Sequence, residues 1–254
     1  FAFIMHDFFV QDTSASSVTE FDRKLRELRE AFGEGVALNM QNLMNSHDAT
    51  RLASAVANPD GEKFGNWGKY FGWSQKGNNR NYNARKPTPE QRQKQKLIIA
   101  FQMLYYGSPM FFYGDEAGMW GANDPDCRKP MVWPEKKYDA EIYNPNQTKH
   151  DADKVAFDHD LFNWYKKFIG LRQKYRSIRL GSYNTIAIDD EKKLYAFSRK
   201  LGSEEVIVIV NRSNKPLLFT HAVLKTNKYK NVFTRQPVIK QINVNAMDVV
   251  VLRN

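Results

Sequence analysis

Residues 107–133, GSPMFFYGDEAGMWGANDPDCRKPMVW, join a short apolar run to a long polar loop rich in glycine. The run at 109–113 is short, apolar and bounded by turn residues, which is typical of a buried β-strand. Before it, Thr88 and Gln91 form a capping-box signature, and apolar residues follow at helical spacing as far as Gly107. This part of the sequence therefore predicts a helix, a strand, and a loop that begins where the strand ends.

The same order of elements occurs earlier in the chain. Ser17 and Glu20 form another capping-box signature, and the spacing of apolar residues predicts a helix over 17–32. The apolar run 36–44 predicts a second buried strand, which overlaps the sequence NLMNSHDATR at 42–51. Helices that alternate with strands predict parallel strands joined by crossovers, so the polar residues after both strands are expected at one edge.

The remaining segments differ in their pattern of apolar and polar residues. Residues 52–87 show no helical or strand period and predict a long connection with many aromatic residues. A third helix is predicted over 158–175. Beyond it, short apolar runs separated by turn residues predict a small antiparallel β domain at 178–254. Residues 1–177 then make up the α/β part of the chain.

Composition narrows the class of protein without giving a function. The 254 residues are 42% hydrophobic and 26% charged, which is ordinary for a globular protein. No apolar run reaches the roughly 18 residues of a spanning helix, so we expect no membrane partner. The net charge of +10 comes from scattered Lys and Arg, so we expect no nucleic acid as a partner. The single Cys127 excludes an intrachain disulfide.

The beginning of the sequence, FAFIMHDFFV, lacks a Met and resembles the inside of a helix. Two parallel strands also cannot form a stable sheet by themselves. We therefore expect the chain to be a piece of a longer protein, and periplasmic, secreted and cytoplasmic locations all stay open. The sequence has no metal-ligand spacing, P-loop or dinucleotide fingerprint, so no metal and no cofactor are predicted.

Polar residues at the two predicted strand ends have ordinary explanations when each is taken alone. Asp48 or Ser46 could cap a helix that starts at Ala49, and His47 could be a partly buried histidine. Asp124 and Arg128 could form a surface ion pair that contributes little. Residue types alone favour these structural roles.

Taken together, the two stretches resemble the alpha-amylase family, glycoside hydrolase family 13, in its neopullulanase and cyclomaltodextrinase type. NLMNSHD at 42–48 is similar to the family region that ends in His-Asp after barrel strand seven. FYGDE at 112–116 and DPDCR at 124–128 are similar to the strand-eight region. The resemblance covers essentially the whole chain. It implies an α/β fold: the C-terminal part of a (β/α)₈ TIM barrel, about strands seven and eight, followed by an antiparallel β-sandwich domain.

The resemblance also implies roles for individual residues. Asp48 matches the carboxylate that stabilises the transition state, and His47 is expected to contact the same sugar. Asp124 and Arg128 match a pair that binds glucose units further toward the non-reducing end. Four aromatic residues are candidates for stacking on sugar rings, with ordinary packing as the alternative for each: Trp67, Tyr70, Trp73 and Trp120.

The implied activity is retaining cleavage of α-glucosidic bonds in starch, maltooligosaccharides, pullulan or cyclodextrins. A retaining glycosidase needs a nucleophile and an acid/base carboxylate. Residues 1–41 match neither, so the chain alone is expected to be inactive. A non-catalytic carbohydrate-binding protein on the same fold is the alternative. For the full-length enzyme, a bound calcium ion and a homo-oligomer both stay open.

Overall fold

The structure is a computed structural model that describes residues 1–226 and 228–254, and these residues form two compact units. Unit 1 consists of Phe1–Ser16, Gln41–Ile98 and Pro109–Lys167, and unit 2 consists of Ser17–Met40, Ile99–Ser108 and Phe168–Asn254. The units do not follow the order of the chain. The domain boundary expected near residue 178 therefore stays a prediction.

Short helices and very short strands make up most of unit 1. Its elements, three of which are shared with unit 2, are α1 (Ala2–Met5), a π-helical turn (His6–Val10), β1 (Gln41–Leu43), α4 (Leu52–Val56), α5 (Trp67–Ser74), α6 (Pro89–Leu104), β2 (Ser108–Met110), a 3₁₀ turn (Asp126–Arg128), β3 (Glu141–Tyr143), β4 (Lys149–Asp153) and α7 (His159–Lys174). Strands β1 and β2 pair with each other, and β3 and β4 form an antiparallel hairpin.

Side-chain caps explain where the long helices start. At α6, the backbone N–H of Thr88 donates to Gln91 Oε1 at 2.8 Å, and the N–H of Gln91 donates to Thr88 Oγ1 at 3.3 Å. At α7, Asp158 Oδ1 accepts from the N–H of Leu161 at 2.9 Å. Each cap satisfies a donor that has no partner within its own helix. The predicted helices after Thr88 and over 158–175 are therefore confirmed.

Unit 2 begins with α2 (Val18–Glu30), for which Ser17 is the N-cap as predicted. Ser17 Oγ accepts from the N–H of Glu20 at 3.1 Å. The Glu20 carboxylate instead pairs with Arg23 at 2.6 Å. Only one half of the expected capping box is thus formed, but the helix is confirmed.

The predicted strand over 36–44 is largely wrong. Its first half is helix α3 (Glu34–Asn39), which starts where the Gly33 carbonyl accepts from the N–H groups of Val36 and Ala37 at 2.9 and 3.0 Å. Val36 is exposed, so this part of the apolar run does not serve as a buried strand. Only the three residues of β1 are extended. The run at 109–113 is similarly shortened, because β2 ends at Met110.

The predicted connection 52–87 has secondary structure of its own, in α4 and α5. Its aromatic side chains pack on one another: Phe64 and Tyr70 have ring centroids 4.8 Å apart, and Trp73 lies edge-on to Tyr82 at 5.0 Å. The burial of these rings stabilises a segment whose sequence shows no regular period. The prediction of a connection without helices was therefore wrong.

An antiparallel sheet forms the larger part of unit 2. Beyond α3, the elements are α8 (Arg176–Leu180), β5 (Ser182–Asp189), β6 (Leu194–Leu201), β7 (Glu204–Asn211), β8 (Leu217–Thr220), a 3₁₀ turn (Ala222–Thr226), β9 (Lys230–Asn231), β10 (Gln241–Val244) and β11 (Asp248–Arg253). The strand order of the five-stranded sheet is β5-β6-β7-β11-β9. Strands β8 and β10 pair separately, also antiparallel.

One hydrophobic core joins the two sheets of unit 2. It takes Ile207 and Ile209 from β7, Phe219 from β8 and Val244 from β10, all nearly inaccessible to solvent. Because both sheets contribute to the same core, the arrangement is a β-sandwich, as predicted. Among the described residues, no helix combines the length and apolar character needed to cross a membrane.

Candidate active site

His47 and Asp48 lie in a turn shortly after β1, within unit 1. The N–H of Asp48 donates to Ser46 Oγ at 3.2 Å, and His47 Nε2 lies 3.2 Å from Asp48 Oδ2. Helix α4 starts only at Leu52, and its N-cap is Arg51. Asp48 is therefore not a helix cap, and more than half of its side chain is exposed to solvent.

The structure brings the second predicted pair to the first. Arg128 Nη2 lies 3.0 Å from Asp48 Oδ1, and Arg128 Nε lies 2.6 Å from Asp124 Oδ1. Arg128 Nε also donates to the backbone carbonyl of His47 at 3.0 Å. The four polar residues predicted for the site thus form one cluster, with the guanidinium of Arg128 between the two carboxylates.

Cys127 is a member of this cluster that the sequence did not indicate. Its thiol donates to the His47 carbonyl at 3.2 Å, and the side chain is fully buried. Burial raises the pKa of the Cys127 thiol to about 11. The thiol is therefore protonated at neutral pH and acts as a donor.

The loop that carries Asp124 and Arg128 is held from its other side. Ala122 N–H donates to Asp126 Oδ2 at 2.6 Å, and Gln75 at the end of α5 donates through Nε2 to the Asp124 carbonyl at 2.9 Å. A Cβ atom at Gly121 would lie 2.7 Å from the Asp126 carbonyl oxygen, so the tight turn requires glycine. These contacts fix the backbone from which Arg128 projects.

Arg51 and Asp115 form a second ion pair, and each of them lies within one of the two motifs. Arg51 Nη1 lies 3.0 Å from Asp115 Oδ1 and donates to the Tyr113 carbonyl at 2.7 Å. Both side chains are inaccessible to solvent. Burial raises the pKa of Asp115 to about 6, although the charge of Arg51 opposes this shift. Both residues stand inside the quoted motifs, but nothing in the sequence indicates that they meet.

The aromatic candidates differ in accessibility. Tyr70 and Trp120 are buried, which leaves a sugar little ring surface to stack on. Trp73 is partly buried against Tyr82, while Trp67 is exposed and borders a cavity of about 310 Å³ that Ser46 and Ala49 also line. Burial therefore argues against stacking by Tyr70 and Trp120. For Trp67 and Trp73, stacking stays a prediction.

Among residues 1–226 and 228–254, no group of three or more His, Cys, Asp or Glu is arranged to hold a metal ion. A calcium ion in the full-length enzyme stays open.

Comparison with known proteins supplies independent information. No family model matches the chain. It is 32% identical over 205 residues to a cyclomaltodextrinase of Geobacillus thermopakistaniensis, covering 81% of this chain and 26% of the relative. It is 30% identical over 191 residues to neopullulanase 2 of Thermoactinomyces vulgaris, covering 75% and 24%. The chain spans about a quarter of the length of these curated relatives.

The fold is similar to that of solved structures. A cyclomaltodextrinase structure aligns with a TM-score of 0.70 at 20% identity, over 99% of this chain and 36% of that one. This likeness shows the fold, part of a (β/α)₈ barrel followed by an antiparallel β domain, as expected. Sequence and fold comparisons agree on one conclusion: the chain belongs to the alpha-amylase family, glycoside hydrolase family 13, and is of its neopullulanase and cyclomaltodextrinase type.

Proposed function

We propose that the chain supplies part of the substrate site of an enzyme that cleaves α-linked glucans with retention of configuration. The observation that carries the proposal is the exposed Asp48 carboxylate, held between His47 and Arg128. Two relatives of the chain are named cyclomaltodextrinase and neopullulanase 2. The proposed substrates are accordingly starch, maltooligosaccharides, pullulan or cyclodextrins.

Asp48 is suited to bind the sugar whose bond breaks. Hydrogen bonds to sugar hydroxyls strengthen as that sugar flattens toward an oxocarbenium ion. His47 and Arg128 each engage one Asp48 oxygen, but a carboxylate oxygen has two lone pairs. Both oxygens can therefore still accept a hydroxyl, and His47 is placed to contact the same sugar.

Asp124 and Arg128 are proposed to bind glucose units further toward the non-reducing end. A guanidinium carries five N–H donors in a planar fork, which is more than Asp48, Asp124 and His47 use. Asp124 lies 2.6 Å from Arg128 Nε and thereby fixes the orientation of the fork. The spare donors suit the hydroxyls of a glucose unit.

The proposed reaction also needs a nucleophile and an acid/base carboxylate, about 5 to 5.5 Å apart. Asp48 cannot fill either role while it binds sugar hydroxyls. We propose that both groups come from sequence outside these 254 residues, in a longer enzyme that carries the chain. The chain by itself is then expected to hydrolyse no α-glucan.

The test replaces Asp48 with Asn in the longer enzyme, with maltooligosaccharides as substrate. Because a charge that stabilises the transition state is removed, kcat should fall by at least about 100-fold while the protein stays folded. Asp160→Asn, the same change at an exposed carboxylate of α7, is the matched control. The isolated chain gives the baseline rate.

A near-normal kcat in Asp48→Asn would refute the role of Asp48. Maltooligosaccharide binding without turnover by the unaltered longer protein would favour the alternative, a carbohydrate-binding protein that has lost the chemistry.

A further inference from the structure

The peptide bond that leads into Asp48 is held by two neighbouring residues of one turn. The His47 carbonyl accepts from the Cys127 thiol at 3.2 Å and from Arg128 Nε at 3.0 Å. Both donors belong to the 3₁₀ turn Asp126–Arg128. Because this carbonyl immediately precedes Asp48, its two hydrogen bonds limit rotation of the backbone that carries the carboxylate.

The Asp48 side chain is held by the same turn. A terminal carboxylate rotates over a broad, shallow range of torsion angles when nothing constrains it. Here Arg128 Nη2 contacts Oδ1 at 3.0 Å, while His47 Nε2 lies 3.2 Å from Oδ2. One guanidinium therefore constrains both the backbone before Asp48 and the plane of its carboxylate.

The turn is itself anchored to helix α5. The N–H of Asn123 donates to the Ser74 carbonyl at 3.0 Å, and Gln75 Nε2 donates to the Asp124 carbonyl at 2.9 Å. A guanidinium can hold its partner only if its own backbone is fixed. These contacts supply that fixed backbone, so the chain of support runs from α5 through the turn to Asp48.

We propose that Cys127 and Arg128 are positioning residues for Asp48, and that Arg128 acts mainly through Asp48 and less through a glucose unit. The proposal rests on the proposed function of Asp48 and modifies the role given above to Arg128. A carboxylate held in its working orientation needs no reorganisation in the transition state. Loss of either donor should therefore slow turnover for substrates of every length.

The kinetic test uses the longer enzyme with a short and a long maltooligosaccharide. Arg128→Ala should lower kcat about 10- to 100-fold on both, with KM changed by less than about threefold, because the loss is of alignment. Arg128→Lys keeps the charge without the fork and should recover part of kcat. Cys127→Ala should lower kcat several-fold, while Cys127→Ser keeps a donor and should stay near the wild-type value.

A rise in KM confined to the long substrate, at unchanged kcat, would overturn the proposal and leave Arg128 as a sugar contact. Equal kcat values for Cys127→Ala and Cys127→Ser, both near wild type, would show that Cys127 is not a positioning residue.

A second readout needs no activity. Cys127 is the single cysteine of the chain and is fully buried under the His47 carbonyl. Its alkylation by iodoacetamide, followed by mass spectrometry of the peptide that contains it, reports how often the turn moves away. Arg128→Ala should speed alkylation at least about tenfold, because the His47 carbonyl then loses its hydrogen bond from Arg128 and the turn opens more often. The alkylation rate of Arg128→Lys should lie between those of Arg128→Ala and wild type.

Arg80→Ala, at an exposed arginine, is the control and should alkylate at the wild-type rate. An unchanged rate in Arg128→Ala would mean that Arg128 does not hold the turn, and the proposal would fall. If Asp48→Asn keeps a normal kcat, the proposed function fails, whereas the alkylation comparison still decides whether the turn is held.

Discussion

Two Arg–Asp pairs in unit 1 have the same 3.0 Å separation and very different surroundings. Arg51 and Asp115 have 0% and 1% of their side chains exposed, while Arg128 and Asp48 have 45% and 56% exposed. Water screens the exposed pair, so its attraction is small. At the buried pair, either charge would be very costly without the other. An equal distance thus does not mean an equal contribution to stability.

The difference separates a structural pair from the pair that we propose to act on the substrate. Arg51 also donates to the Tyr113 carbonyl and lies over the ring of Phe112, 4.7 Å from its centroid. It therefore fixes the segment that follows β2. The exposed pair has surface left for a ligand, and a sugar can compete with water there. Each of the following predictions tests this division.

The largest effect is expected for Arg51→Ala. The variant leaves the Asp115 carboxylate buried without its partner, which typically costs 3–5 kcal/mol. Urea unfolding monitored by circular dichroism should therefore show a free energy of unfolding lower by about that amount. A loss below about 1 kcal/mol would mean that the buried pair is no more important to the fold than the exposed one.

The next largest effect concerns His6, which is buried like Arg51. Its Nε2 donates to the Met44 carbonyl at 3.1 Å, and its ring stacks on Phe64. Burial lowers the pKa of His6 from 6.5 to about 4. Below pH 6.5 the unfolded chain therefore binds a proton at His6 that the folded chain does not bind. The free energy of unfolding falls as the pH drops from about 6.5 to 4. The loss approaches roughly 3 kcal/mol at pH 4.

The measurement compares wild type with His6→Phe at several pH values by urea unfolding. The variant should lose less stability between pH 6.5 and 4. The difference between the two proteins is needed because Asp115 acts in the opposite direction: its raised pKa adds stability as the pH falls from about 6 to 4. Parallel pH curves would show that His6 is protonated in the folded chain.

The smallest effect on stability is expected for Arg128→Ala. It removes the same side chain as Arg51→Ala, but from an exposed pair, so the free energy of unfolding should change by less than about 1 kcal/mol. Urea unfolding under the same conditions provides the comparison. A loss of 3 kcal/mol or more would place Arg128 among the structural residues and would make its effect on kcat uninformative.

The parts of the fold that could be predicted depend on short-range interactions. Ser17 and Thr88 cap helices through residues only three positions away, so the sequence pattern is sufficient. The apolar run at 36–44 was misleading because Gly33 starts a helix that takes up the first half of the run. The segment around Trp73 and Tyr82 is stabilised by aromatic packing and has no regular sequence period. Such packing cannot be inferred from spacing along the chain.

The site was predicted in part for a similar reason. His47, Asp48, Asp124 and Arg128 could be named because two motifs resemble a known family, and the structure brings them together. The place of Cys127 in the cluster could not be inferred, because its acceptor lies 80 positions away in the chain. The meeting of Arg51 with Asp115 is of the same long-range kind. The candidate residues could be named from sequence, but the hydrogen bonds that orient them could not be inferred.

The position of β11 in the sheet has a consequence for biosynthesis. This strand lies between β7 and β9, yet it is the last of the five strands of this sheet along the sequence. Its residues Val249 to Leu252 pair with Val210 to Ile207 of β7. Until they leave the ribosome, β7 presents an unpaired apolar edge of the kind that recruits other strands. Of the strands in this sheet, β7 therefore waits longest along the sequence for a neighbour.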